Sequence, residues 1–191
     1  MAKTRISISS KISEKVLKEF NHRCAKCGAD NPHLHHIDEN PSNNDLLNLI
    51  PLCPNCHLID QHNPTRLVEP GKLSLFRIYK DPTILKPQFQ PLFTRLQFFE
   101  SIEGEFHLEE LEQRAIELVE FIFTMEKGEF YGTIIGRAII PQDLIIRNVS
   151  VPRFKNDAHK LQRTIEYYQD LQKIKGQVYS WVVESLRFQP W

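Results

Sequence analysis

The sequence predicts an α+β protein, a small zinc-stabilised module of two short strands and a helix followed by a mainly α-helical domain. Three observations lead there. All four cysteines fall between Cys24 and Cys56, as two Cys-x-x-Cys pairs. Between the pairs lie two short apolar stretches, separated by the turn-rich loop NPSNND. Beyond residue 66 there is no cysteine, and apolar residues recur every three or four positions, the period of an amphipathic helix.

At 191 residues and 41% apolar, the chain has room for one large domain, or for a small module and a second domain, with a real core. No charged n-region followed by an apolar h-region opens it, and no apolar run approaches the roughly 18 residues that span a bilayer. A cytoplasmic protein without membrane contact is expected. Paired Cys-x-x-Cys spacing without a secretion signal favours zinc in a reducing compartment over two disulfides.

Net charge is zero but uneven. Residues 1–26 hold seven basic groups against Glu14 and Glu19, whereas residues 27–66 hold Arg66 against five acids. A four-thiolate zinc site adds about −2 to the second stretch. Only the amino-terminal part is positive.

Taken in order, Ser9 and Ser10 cap a helix from Lys11 to Asn21, with Ile12, Val16 and Phe20 on one face. Lys11, Lys15 and Lys18 stand on other faces, either as a solvated surface or as a row of contacts to phosphates. Cys24 and Cys27 form the first knuckle. Leu34–Ile37 and Leu49–Leu52 read as short strands, the second delivering Cys53. Pro54 opens a helix that carries Cys56 and His57 and runs to His62, where Asn63-Pro64 ends it.

The stretch NPTRLVEPGK, residues 63–72, marks a boundary, dividing a module at 1–66 from a domain at 67–191. That domain reads as helices over Leu73–Tyr79, Phe89–Ile102, His107–Lys127 and Asn156–Leu186. Leu108, Leu111, Ala115, Leu118, Ile122 and Met125 form one apolar seam, and Leu161, Ile165, Tyr168, Leu171, Val178 and Val182 another. The seams either pair within one bundle or meet a partner chain. GEFYGTIIGRAII between them is ambiguous between strand and helix, and its Ile and Gly content leans towards a hairpin.

The stretch from Arg23 to His62 resembles the HNH endonuclease family in its zinc-stapled form. The residues that carry the resemblance are C24-A-K-C27, H35-H36-I37, N48-L49 and L52-C53-P-N-C56-H57. It covers about 40 residues and implies a ββα-metal arrangement. By the resemblance Cys24, Cys27, Cys53 and Cys56 hold a structural Zn2+, while His35 and His57 hold a catalytic Mg2+ or Mn2+. His36 would take a proton from the attacking water, and Asn48 would hold the connecting loop and so orient it. A third ligand one turn on from His57 would be Gln61, on the same helical face, or His62, slightly off it. Many members carry a cation three residues after the final His, where this chain has Asp60.

The implied activity is hydrolysis of DNA phosphodiester bonds to 5′-phosphate and 3′-hydroxyl ends, in restriction or anti-phage defence. DNA and a homo-oligomer or partner protein are the expected partners, with Lys11, Lys15 and Lys18 as candidate DNA contacts. Two other classes stay open: a zinc-stabilised DNA- or protein-binding module without catalysis, and a nuclease or toxin-like effector acting on RNA. His33, His107 and His159 match no motif position.

Overall fold

Ser9 starts the first element, its hydroxyl accepting the Ile12 N–H at 3.3 Å, and helix α1 then runs over Ser10–Glu19 with Val16 fully buried. In the computed structural model, which describes residues 6–100, 107–145 and 153–191, the chain divides into two units, Met1–Lys86 and Pro87–Trp191. Among the described residues no helix is long and apolar enough to cross a membrane.

In the first unit α1 ends on Asn21 and His22, both with positive φ. Asn is among the non-glycine residues that enter this region most readily, and the pair turns the chain into the first knuckle. Strand β1, His33–His36, pairs antiparallel with β2, Leu49–Leu52, in the register His33↔Leu52, Leu34↔Pro51, His35↔Ile50 and His36↔Leu49. β1 begins one residue earlier than expected, and β2 lies where the sequence puts it. All four β2 residues are buried, which is why its sequence is apolar throughout rather than alternating.

After Pro54 the chain winds through Asn55–Gln61 as a π-helical segment, with helix α2 following over Pro70–Tyr79. The expected break after Arg66 falls inside this unit. Arg77 of α2, 2% exposed, donates to the carbonyls of Leu49 (2.8 Å) and Leu46 (3.1 Å) and to Glu19 of α1 (2.7 Å). Its guanidinium also lies 5.4 Å from the centre of the Phe20 ring. One side chain thus ties α2, β2 and α1 together.

The second unit is helical: α3 Gln90–Leu96, α4 Leu108–Phe123, α5 Gly128–Ile139, α6 Gln142–Ile145 and α7 Asp157–Leu186. The helix expected over Phe89–Ile102 is α3 followed by a 3₁₀ turn at Gln97–Phe99, and its end at Ile102 lies outside the described residues. Leu111, Ala115, Leu118 and Ile122 of α4 are buried as the seam requires. The second seam divides: Leu171, Val178 and Val182 are buried, whereas Leu161 and Ile165 are exposed.

The hairpin expected over GEFYGTIIGRAII is instead helix α5. Gly128, Gly132 and Gly136 recur every fourth residue and so line one face of a helix. A Cβ on Gly128 would strike the Ile122 carbonyl oxygen, and one on Gly132 would sit 3.0 Å from the Phe123 ring. The glycines let α5 approach α4 closely, and they are a packing face rather than turn residues.

Candidate functional site

The sulfurs of Cys24, Cys27, Cys53 and Cys56 all lie within 4.8 Å of one another. Cys27 and Cys53 are 3.6 Å apart at Sγ and all four thiols are free. A disulfide would bring two sulfurs to about 2 Å, whereas the edge of a zinc tetrahedron with bonds of about 2.3 Å is about 3.8 Å. Gly28, at φ +75°, closes the first knuckle by donating to the Cys24 carbonyl at 2.8 Å, and the Cys56 N–H points to Cys53 Sγ at 3.5 Å. That N–H draws the Cys53 thiol down to about 7, while burial pushes Cys56 up. Four sulfurs so placed fit a metal ion, consistent with zinc. The Ala25 N–H, donated to the Pro51 carbonyl at 2.8 Å, fastens the first knuckle to β2.

Beside this group the hairpin and the π-helical segment bring three imidazoles together. The ring of His35 lies 5.0 Å from that of His57 and 6.4 Å from that of His62, and His57 and His62 are 5.0 Å apart. His35 is 5% exposed, and its Nε2 is buried without a hydrogen-bond partner. Burial first, then the neighbouring His57 and His62, lower its pKa to about 4; burial and His62 also lower that of His57. Both rings are therefore neutral donors at ordinary pH. A buried orphan nitrogen costs about 1–3 kcal/mol, and a divalent cation held with His57 and His62 would remove that cost. Among the described residues the four sulfurs are the group close enough to share one ion, and the three imidazoles are neighbours at ring distance.

His62 reaches the group because of the winding. In an α-helix residue i+5 sits about 140° around from residue i, which would turn His62 away from His57 and favour Gln61. The wider π turn swings the fifth residue back towards the first. Gln61 is buried and engaged elsewhere, donating to the Val68 carbonyl at 2.8 Å and accepting the Val68 N–H at 3.4 Å.

His36, the next residue of β1, is half-buried and hydrogen-bonded through Nε2 to Asn44 Oδ1 at 2.9 Å. The loop from Asp38 to Asp45 is a side-chain-braced turn. Asn48 donates to Asp38 Oδ1 (2.9 Å) and to the Asn43 carbonyl (2.8 Å), and accepts the Asp38 N–H (3.0 Å). Asn43 donates to Asp38 Oδ2 at 2.7 Å. Asn44 and Arg77 are the residues that the motif reading leaves out. Neither belongs to a motif, and Arg77 lies beyond the expected boundary.

Lys11, Lys15 and Lys18 are exposed on α1, with Lys18 paired to Glu14 at 3.2 Å. Asp60 lies 2.9 Å from Lys26 and 3.7 Å from Arg66, and the Lys26 hydrogen bond lowers its pKa. Asp60 thus gathers two cations around itself. Compared with protein-family models, with curated proteins and with solved structures, the chain matches none.

Proposed function

We propose that the chain is a metal-dependent endonuclease of the HNH type that hydrolyses DNA phosphodiester bonds, working in restriction or anti-phage defence. The observation that supports it best is the division of labour on β1. His35 joins His57 and His62 around an unsatisfied buried nitrogen, while its neighbour His36 is held separately by Asn44. A metal-binding group and an adjacent independent base are what hydrolysis of a phosphodiester by water needs.

His35, His57 and His62 would hold the catalytic ion, and three imidazoles favour a first-row transition ion such as Mn2+ over Mg2+. The ion, when bound, polarises the scissile phosphate and stabilises the departing 3′ oxygen. His36 takes a proton from water, whose oxygen forms the new bond to phosphorus as the bond from phosphorus to the 3′ oxygen breaks. The products are a 5′-phosphate and a 3′-hydroxyl, the latter gaining its proton from solvent. The four cysteines hold the zinc that keeps β1, β2 and the π-helical segment in place. Lys11 and Lys15 on α1, with Lys26 and Arg66 around Asp60, offer cations to the backbone phosphates, and the helical unit serves self-assembly or a partner protein.

Incubating plasmid and linear DNA, and RNA in parallel, with the zinc-loaded chain and Mn2+ or Mg2+ tests this. Nicking or linearisation that Mn2+ supports better than Mg2+, and that His36→Ala abolishes, is the expected result. Cleavage of RNA alone would move the substrate to RNA, and no cleavage of either would leave the zinc-stabilised binding module.

A further inference from the structure

We propose that Asn44 is the positioning residue of His36, fixing the ring hydrogen on Nε2 and leaving Nδ1 as the nitrogen that takes the proton from water. The part about water rests on the nuclease reading above; the part about the ring does not. An asparagine amide presents an acceptor at one end and two donors at the other, and its surroundings decide which end faces where. Asn44 Nδ2 lies 3.3 Å from the Ser7 carbonyl oxygen and 3.4 Å from that of Ile6. Carbonyl oxygens only accept, so the NH2 group must face them. The flipped amide would set oxygen against two oxygens.

With the amide so fixed, Oδ1 is the atom 2.9 Å from His36 Nε2. An amide oxygen only accepts, so Nε2 carries the hydrogen. A neutral imidazole has one ring N–H, and the lone pair is therefore on Nδ1. Two backbone carbonyls ahead of α1 thus select the tautomer of a side chain on β1. The leading segment is itself held across the loop, the Ile6 N–H donating to the Pro41 carbonyl at 3.4 Å. Two asparagines have separate roles here. Asn48 braces Asp38 and Asn43 and gives the loop its shape, and Asn44 sets the ring.

The test is a long-range 1H–15N spectrum of the histidine rings in the full-length, zinc-loaded chain, at a pH where His36 is neutral, with the His36 signals assigned by their loss in His36→Gln. The expected wild-type pattern is a single tautomer with hydrogen on Nε2. Asn44→Leu should give a mixture of tautomers and, on DNA, a kcat lowered about 10–100-fold with KM little changed, the scale typical of lost outer-shell orientation. Asn44→Asp keeps the acceptor for Nε2 but sets an oxygen against the Ile6 and Ser7 carbonyls, so it should retain the Nε2–H tautomer while loosening the leading segment. A wild-type ring protonated on Nδ1, or a ring and a rate unchanged in Asn44→Leu, overturns the proposal. Should Asn44→Leu fail to fold, the wild-type spectrum still decides it. A wild-type chain that cleaves nothing removes the nuclease reading, while the ring spectrum continues to judge Asn44.

Discussion

His35 and His36 adjoin in sequence and are treated oppositely by the fold, because a strand turns successive side chains to opposite faces. One ring is buried beside two other imidazoles, and the other is half-buried against Asn44. His36→Ala should leave the chain folded and zinc-loaded yet reduce cleavage by about 10²–10⁴-fold, the usual worth of a positioned base; circular dichroism, a zinc assay and plasmid nicking check this together. His35 makes a prediction about stability. Its folded pKa of about 4 lies below the 6.5 of a free ring, so the unfolded chain binds the proton first. The contribution is fully present above pH 6.5 and is lost as pH falls towards 4, by on the order of 3 kcal/mol. Urea midpoints of the first unit should therefore drop less steeply over that range in His35→Asn than in the wild type. Equal slopes would count against the burial of a neutral ring.

Individual elements are held by contacts that their own sequences do not advertise. Arg77 joins α2 to the carbonyls of Leu46 and Leu49 and to Glu19. Arg77→Met would leave the buried Leu49 carbonyl and the partly buried Leu46 carbonyl without this donor and Glu19 with Lys80 alone, and should cost about 3 kcal/mol in urea unfolding of the first unit. Truncation at residue 66 removes the same contact, so a piece comprising residues 1–66 should be less stable than one comprising 1–86. In the second unit, Gly128→Ala forces a methyl group against the Ile122 carbonyl oxygen. That is a backbone obstacle which side-chain rotation cannot relieve, and the expected loss is about 2 kcal/mol, seen as a lower thermal midpoint. A variant as stable as the wild type would mean that α4 and α5 separate freely.

For the molecule as a whole, both units bury apolar side chains, and the first adds the four-sulfur group. The second has an aliphatic and aromatic core, with Leu118, Ile122, Ile135, Val178 and Val182 almost fully buried. In the first unit, residues 24–57 form two short strands and two knuckles whose shape depends on the four sulfurs. A strong chelator, or Cys53→Ser, should therefore unfold the first unit while the helical signal of the second persists. Circular dichroism with a zinc-release assay would show it, and a first unit that keeps its fold after losing the ion would contradict the structural role of the cysteines.

By itself the sequence determined the four-cysteine group, the positions of α1 and β2, the seam of α4 and the broad α+β class. Each of these follows from short-range spacing, which local sterics and burial translate directly into shape. The tertiary structure decided what spacing leaves open. It made GEFYGTIIGRAII a helix, since a glycine stripe means close packing only when a neighbouring helix is there to meet it. It brought His62 rather than Gln61 to His57, because a π turn changes which residues share a face. It carried the first unit to Lys86, with α2 tied to β2 and α1 by the buried Arg77, and it set His36 against Asn44 through carbonyls nearly forty residues from Asn44 in the chain. Such contacts join residues far apart in sequence, and no local period encodes them.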